Sequence, residues 1–232
     1  MKLYSIENFL TDEECDKIIA HIDENNAPSR VSNDDLASGG LEYGSRNSMT
    51  SNLSDNIVPN LKQRIADELQ IEKIKKGEGL QGQRYEPGQY FKPHTDFFSG
   101  KSYQSNCLAS GNRTHTLMIY LNDEFEGGAT NFPTLNMKFT GKKGMAIVWE
   151  NMYPNGDLIQ EALHEGQEVT KGTKYIVTSW WREKEHQGAE DGRLFLESRK
   201  NKFTTKEDLP YFTKEGFKVV KCPDKAWNMI RE

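Results

Sequence analysis

The chain has 232 residues and a formal net charge of −5, with 28% charged and 35% hydrophobic residues. This is enough chain to bury a sizeable core, with the composition of an ordinary soluble globular protein. There is no basic excess of the kind a nucleic-acid footprint requires, and no apolar run long enough to span a membrane.

The first predicted element is an extended entry over Ser5-Ile6-Glu7-Asn8-Phe9-Leu10. Thr11 then reads as an N-cap, with Glu14 three residues on completing a capping box. The helix that follows repeats Cys15, Ile18, Ile19 and Ile22 at helical spacing and is expected to end near Asn25-Asn26. Residues 27–56 are rich in Ser, Asn, Asp and Gly and read as a long loop region, of a length that is usually functional. A second helix is expected from about Asn56 to Leu69, with Ile57, Leu61, Ile65 and Leu69 on its apolar stripe. The period then changes. Leu80–Tyr85, Thr114–Leu121, Met145–Trp149, Leu158–Leu163 and Thr173–Arg182 read as strands, rich in β-branched and aromatic residues and separated by Gly, Asn and Pro turns. Helices first and many strands afterwards suggest helices packed on a β-sandwich or jelly-roll barrel. Beyond Trp181 the stretch Glu183–Gly192 is polar and expected to face solvent. A strand at Phe217–Val220 and a short helix at Asp224–Ile230 are expected after it.

The three cysteines, Cys15, Cys107 and Cys222, form no CxxC pair, which argues against a disulfide framework or a zinc cluster and fits a reducing compartment. The N-terminus turns acidic without the apolar run of a signal peptide, so a cytoplasmic location is expected.

Chemistry concentrates in the stretch Gln83–Asp96, which ends in His94-x-Asp96. In an extended strand, residues two apart point the same way, so one face can offer an imidazole and a carboxylate to one metal ion. A third nitrogen ligand would complete the two-histidine, one-carboxylate triad that selects non-heme Fe(II) and leaves coordination positions open. Of the five histidines, His164 is the best third ligand, closing the strand Leu158–His164, and His115 is its rival inside the strand Thr114–Tyr120. Ten residues after His164 stands Lys174, sharing one face of its strand with Ile176, Thr178 and Trp180. A lysine on an apolar face is expensive to bury without an anionic partner. It therefore either snorkels to water at the strand mouth or pairs with a carboxylate-bearing cosubstrate, with Thr178 adding a hydrogen bond. Lys171 is the alternative cation.

The set His94-x-Asp96, His164 and Lys174 resembles the prolyl 4-hydroxylases, Fe(II)- and 2-oxoglutarate-dependent oxygenases built on a double-stranded β-helix. The resemblance covers roughly residues 40–182. It implies a mainly β, α+β fold, with N-terminal helices (about 1–72) packed on one sheet of a jelly-roll core (about 78–183) and an extension (about 184–232), all in one domain. It implies iron held by His94, Asp96 and His164, with Tyr85, Thr116, Tyr120, Lys174 and Thr178 around 2-oxoglutarate. Arg113, Trp180, Phe91, Arg46 and Glu78 match positions that face the peptide. Arg46 lies in Gly44-Ser45-Arg46-Asn47-Ser48, which looks like part of the family's mobile substrate loop, and residues 27–56 and 97–112 are where closing lids are expected. The chain departs from the pattern at Phe91, where some members carry tyrosine, and at Arg182, where some carry histidine. The activity implied is hydroxylation of prolines in a peptide or protein, with O2 consumed, succinate and CO2 released and ascorbate as an auxiliary. Three rival readings remain: the same chemistry on a free amino acid, lysyl residue or small molecule; a silent barrel binding proline-rich ligands; and a metal-binding cupin without an oxo-acid cosubstrate.

Overall fold

The computed structural model describes residues 1–29, 45–54, 56–199, 217–221 and 227–231. In chain order the elements are β1 (Leu3–Ile6), α1 (Asp12–Asn25), β2 (Ala27–Pro28), β3 (Met49–Leu53), α2 (Leu61–Glu68), β4 (Leu80–Tyr85), β5 (Phe91–His94), α3 (Gly100–Asn106), β6 (Arg113–Tyr120) and β7 (Phe125–Gly127). They continue with β8 (Thr130–Phe132), β9 (Met137–Phe139), β10 (Ala146–Glu150), β11 (His164–Gly166), β12 (Val169–Gly172), β13 (Lys174–Arg182), α4 (Gly188–Arg199), β14 (Phe217–Lys221) and β15 (Trp227–Arg231). A seven-stranded sheet in the order β1-β10-β6-β13-β4-β3-β2 faces a four-stranded sheet in the order β5-β11-β8-β9, and β12 pairs with β7.

Side-chain alternation assigns the faces of the large sheet. Leu117, Ile119, Ala146, Val148, Tyr175, Val177 and Trp181 point outward and bury against Cys15, Ile18 and Ile22 of α1 and Leu61, Ile65 and Ala66 of α2. Each fully buried aliphatic side chain there contributes about 1.5–3 kcal/mol. The capping box starts α1 as its sequence predicts, Thr11 and Glu14 each accepting the other's backbone N–H. Close packing of α1 on β4 requires Gly82, where an added Cβ would lie 2.6 Å from Ile22 Cγ1. On the inner face Tyr85, Met118, Tyr120, Met145, Ile147, Trp149 and Ile176 form a second core with Phe132 and Val169 from the opposite side.

Several expectations need correction. The helix expected from Asn56 begins only at Leu61, because Pro59 disfavours helical backbone at Val58 and Asn60 takes a left-handed φ of 63°. The long loop over 27–56 contains β2 and β3, which extend the large sheet beyond β4; within that segment, 30–44 and Asp55 lie outside the described residues. The strand expected over Leu158–Leu163 is a single 3-10 turn at Gln160–Ala162, and His164 opens β11 instead of closing a strand. Glu183–Gly192 is not simply a solvated stretch: α4 begins within it and Asp191 is buried. β14 appears as expected. Of the helix expected at Asp224–Ile230, residues 224–226 lie outside the described residues, and Trp227–Ile230 pair with β14 as a strand, in keeping with the strand preference of Trp and Ile.

Candidate active site

His94 ends β5 and His164 opens β11, and the two are directly opposed in the antiparallel ladder. Their ring centroids lie 4.3 Å apart. Asp96 sits in the bend just beyond β5, so the turn, rather than continuous strand alternation, brings it to the histidines. The three residues can present ligand atoms that all lie within 4.8 Å of one another. Backbone carbonyls fix both imidazoles: His94 Nδ1 is 2.8 Å from Lys92 O and His164 Nδ1 is 2.9 Å from Ala162 O. With Nδ1–H donating to those oxygens, each ring leaves its Nε2 for a metal, and His164 Nε2 lies 3.9 Å from Asp96 Oδ2. Burial and the neighbouring His164 hold His94 well below its ordinary pKa, favouring the neutral ring. Burial alone would raise the Asp96 carboxyl, but His164 and Arg113 outweigh it and keep the group ionised. The donor set and its geometry therefore fit Fe(II). His115 is excluded as the third ligand: it lies on the outward face opposite Trp181 and Glu150, with Nδ1 2.9 Å from Thr114 Oγ1.

Thr116 is fully buried and donates to Asp96 Oδ2 at 2.7 Å, while accepting from Asn151 Nδ2 at 2.9 Å. Its hydroxyl thus reaches the site through the carboxylate.

Lys174 is 2% exposed. Its ammonium donates to Gly128 O at 2.6 Å and stands 5.3 Å from the ring centroids of both Tyr85 and Tyr120. It does not snorkel, and among the described residues no carboxylate pairs with it. Burial pushes its pKa down to about 7. A cation sealed against two aromatic faces without a counter-charge fits the far carboxylate of 2-oxoglutarate. Lys171, by contrast, is exposed and paired with Glu126 at 2.7 Å. Thr178 accepts from Gln83 Nε2 at 3.0 Å, and Gln83 Oε1 accepts from Tyr85 at 2.9 Å, joining three inward-facing residues of β13 and β4. Tyr120 donates to Thr130 Oγ1 at 2.7 Å.

The expected peptide-facing residues fall into two stacks. Phe91 lies on the His94 ring, centroids 3.5 Å apart and 20° from parallel. The Arg46 guanidinium is 4.9 Å from the Phe91 centroid, and its Nε donates to Ser48 Oγ at 2.8 Å. On the other side the Arg113 guanidinium lies 4.0 Å from the Trp180 ring and 4.6 Å from Phe98, with Nη1 4.0 Å from Asp96 Oδ1. Glu78 takes Arg113 in a bidentate pair at 2.7 and 2.8 Å and also accepts from Arg182 Nε at 2.5 Å. Burial opposes ionisation of Glu78, but the two arginines keep it charged. Glu78 therefore meets the site as the anchor of Arg113, and Arg182 as a buried clamp.

The model of the 2OG-Fe(II) oxygenase superfamily matches residues 80–182. The chain is 33% identical over 197 residues to "Probable prolyl 4-hydroxylase 3" and 32% identical over 196 residues to "Prolyl 4-hydroxylase 5", both of Arabidopsis thaliana. Each match takes in 75% of this chain and 66% of the relative, so it spans just under two-thirds of their length. The viral collagen prolyl hydroxylase of Paramecium bursaria Chlorella virus-1, solved with 2-oxoglutarate, superposes with a TM-score of 0.60 at 31% identity, over 78% of this chain and 96% of that one. The chain belongs to the prolyl 4-hydroxylase family of Fe(II)/2-oxoglutarate oxygenases. The jelly-roll of that family accounts for the two facing sheets.

Sequence reasoning passed over four members of this site: Gln83, Gly128, Asn151 and Phe98. Strand alternation could have flagged Gln83, two residues before Tyr85 on the same face. The Gly128 carbonyl leaves no side-chain signal. Asn151 and Phe98 reach the site only through the fold.

Proposed function

We propose that this protein is a dioxygenase that hydroxylates proline residues in a peptide or protein, using Fe(II), 2-oxoglutarate and O2. The observation that carries this reading is Lys174, a buried, carboxylate-free cation in the same inner core as a two-histidine, one-carboxylate cluster. His94, Asp96 and His164 would hold iron through two Nε2 atoms and one carboxylate oxygen. Lys174 would take the far carboxylate of 2-oxoglutarate, with Thr178, Gln83 and Tyr85 supplying neutral hydrogen-bond partners nearby. Bound iron and 2-oxoglutarate supply O2 activation, coupled to formation of succinate and CO2 and transfer of one oxygen to the substrate carbon.

The chain's own part is placement and exclusion of water. Thr116, held by Asn151, orients the Asp96 carboxylate. The ring of Phe91 covers one face of His94, and the Arg113–Trp180 stack stands beside Asp96 on the other side of the site. An extended proline-rich segment would lie across these aromatic and guanidinium surfaces, which suit the stiff polyproline II conformation. The names of the relatives, which include a collagen prolyl hydroxylase, favour a peptidyl substrate over a free amino acid.

The test supplies Fe(II), 2-oxoglutarate and a panel of proline-containing peptides, Gly-Pro-Pro repeats among them, and follows succinate and a one-oxygen mass gain. Both are expected together. Succinate without any modified peptide would refute the prolyl assignment and retain the oxygenase. Metal binding with no turnover would leave a silent binding barrel.

A further inference from the structure

The segment after β13 carries a buried acid that the chemistry above does not use. Asp191, near the start of α4, is 2% exposed and has no basic partner among the described residues. Instead, its Oδ1 accepts the backbone N–H groups of Ala109 and Ser110 at 2.6 and 3.1 Å, and its Oδ2 accepts from the Ser110 hydroxyl. Ser110 Oγ in turn accepts from Gln187 N at 2.7 Å. Further contacts fasten the same turn. Glu183 Oε2 accepts from Asn112 N at 2.6 Å, and Arg182 Nη1 donates to the carbonyls of Asn106 and Gly111 at 3.1 and 3.0 Å. Gly111 has φ +71°, and a Cβ there would lie 2.7 Å from Glu183 Oε2, so the close approach depends on glycine.

The turn leads directly into Arg113. Asn112 also staples Phe98 by two hydrogen bonds, accepting from Phe98 N at 2.9 Å and donating to Phe98 O at 2.8 Å. Phe98 is one of the two rings between which the Arg113 guanidinium lies. A carboxylate about 80 residues distant in sequence thus fixes the turn that sets both Arg113 and one wall of its stack. Arg113 in turn reaches Asp96, Nη1 lying 4.0 Å from Oδ1, whereas the Asp191 side chain bonds only to Ala109 and Ser110 among the described residues.

We propose that Asp191 is a positioning residue for the peptide substrate. By fastening the 109–112 turn it holds Arg113 in the orientation in which Arg113 meets the peptide, and the segment after β13 is thereby part of the peptide site. This rests on the prolyl reading above.

The test compares Asp191→Ala with Asp191→Asn in the full chain, using the Gly-Pro-Pro repeat peptide as substrate. For Asp191→Ala the KM for peptide is expected to rise about tenfold while the KM for 2-oxoglutarate stays within about twofold. Asp191→Asn keeps an oxygen that can accept both backbone N–H groups, so it should restore the peptide KM to within about threefold of the unaltered protein. An unchanged peptide KM in Asp191→Ala, or an equal rise in both KM values, would overturn the proposal. Should Asp191→Ala not fold, Ser110→Ala replaces it, with a peptide KM increase of about threefold expected and no increase refuting the idea. A readout that needs no substrate is the Arg113 Nε–Hε resonance, assigned by its loss in Arg113→Lys. Slow solvent exchange of that proton should be lost in Asp191→Ala, or in Ser110→Ala where that variant stands in; retained protection would overturn the proposal even if no peptide in the panel is modified. Failure of the prolyl reading, by contrast, would appear in the unaltered protein.

Discussion

The two faces of the large sheet are built from the same strands and do opposite work. Along β13, Tyr175, Val177 and Trp181 face the helices and are buried in an apolar core. Alternating with them, Lys174, Thr178 and Trp180 face the small sheet and carry a cation without a carboxylate partner, a hydroxyl, and an indole whose Nε1 has no hydrogen-bond partner among the described residues. A face that only stabilises satisfies its polar groups internally. A face that binds leaves some of them for a ligand. Along β13 the difference between the faces is therefore one of satisfaction rather than of burial, since both are nearly dry there.

This contrast can be broken or sharpened by substitution. The largest effect belongs to the ligands: His164→Ala should abolish detectable succinate formation and iron-dependent spectral changes while shifting the melting midpoint little. Ile119→Ala on the outward face should do the reverse, lowering unfolding free energy by about 2–5 kcal/mol in a denaturant titration. Its KM values, measured well below the melt, should stay unchanged. Lys174→Met should raise the KM for 2-oxoglutarate about 100-fold, the loss of a charge-assisted pair. The same variant should be no less stable than the parent, because it removes an uncompensated buried charge.

Lys174 also gives a pH signature. Its pKa is about 7 in the folded protein, below the ordinary lysine value of 10.5. Between these two values the unfolded chain binds more protons, so this residue makes the ligand-free protein more stable as pH rises through that window and withdraws that stability as pH falls toward 7. Binding of 2-oxoglutarate needs the protonated form, so its affinity should fall by up to about tenfold per pH unit above 7, with proton uptake measurable by calorimetry in buffers of different ionisation enthalpy. Thr116→Val should weaken iron binding about 10–100-fold through Asp96. The smallest expected effect is Lys171→Ala: an exposed pair contributes roughly 0–1 kcal/mol, and 2-oxoglutarate affinity should not move.

Strand alternation made much of this readable in advance. β4 falls at its expected bounds, and the facing of Lys174 and Thr178 follows from period two alone. The capping box on α1 was legible because both partners lie within one turn. What stayed hidden is what depends on pairing between distant segments. Thr116 reads as one more inward hydroxyl until β6 is laid beside the bend that carries Asp96. Glu78 and Arg182 look like cleft residues until Glu78 is found accepting from both Arg113 and Arg182, across separations of 35 and 104 residues. Polar composition after Trp181 suggested a solvated tail, because sequence cannot distinguish a carboxylate facing water from one capping backbone amides in the interior. The strand β3 escaped for a related reason. Its middle residues Thr50, Ser51 and Asn52 are polar, and the backbone ladders to β4 and β2 hold it in place.

The cross-strand opposition of His94 and His164 has a consequence for folding. A slip of the β5–β11 ladder by one residue would turn one imidazole to the opposite side and abolish the chelate. Iron can bind only the correct register, and a ligand that binds only the native arrangement raises its population by mass action. The metal would then proofread strand pairing as well as serve chemistry. The small sheet should be the region whose amide exchange slows most when Fe(II), or a redox-inert divalent substitute, is added, while exchange beneath α1 and α2 stays as it was.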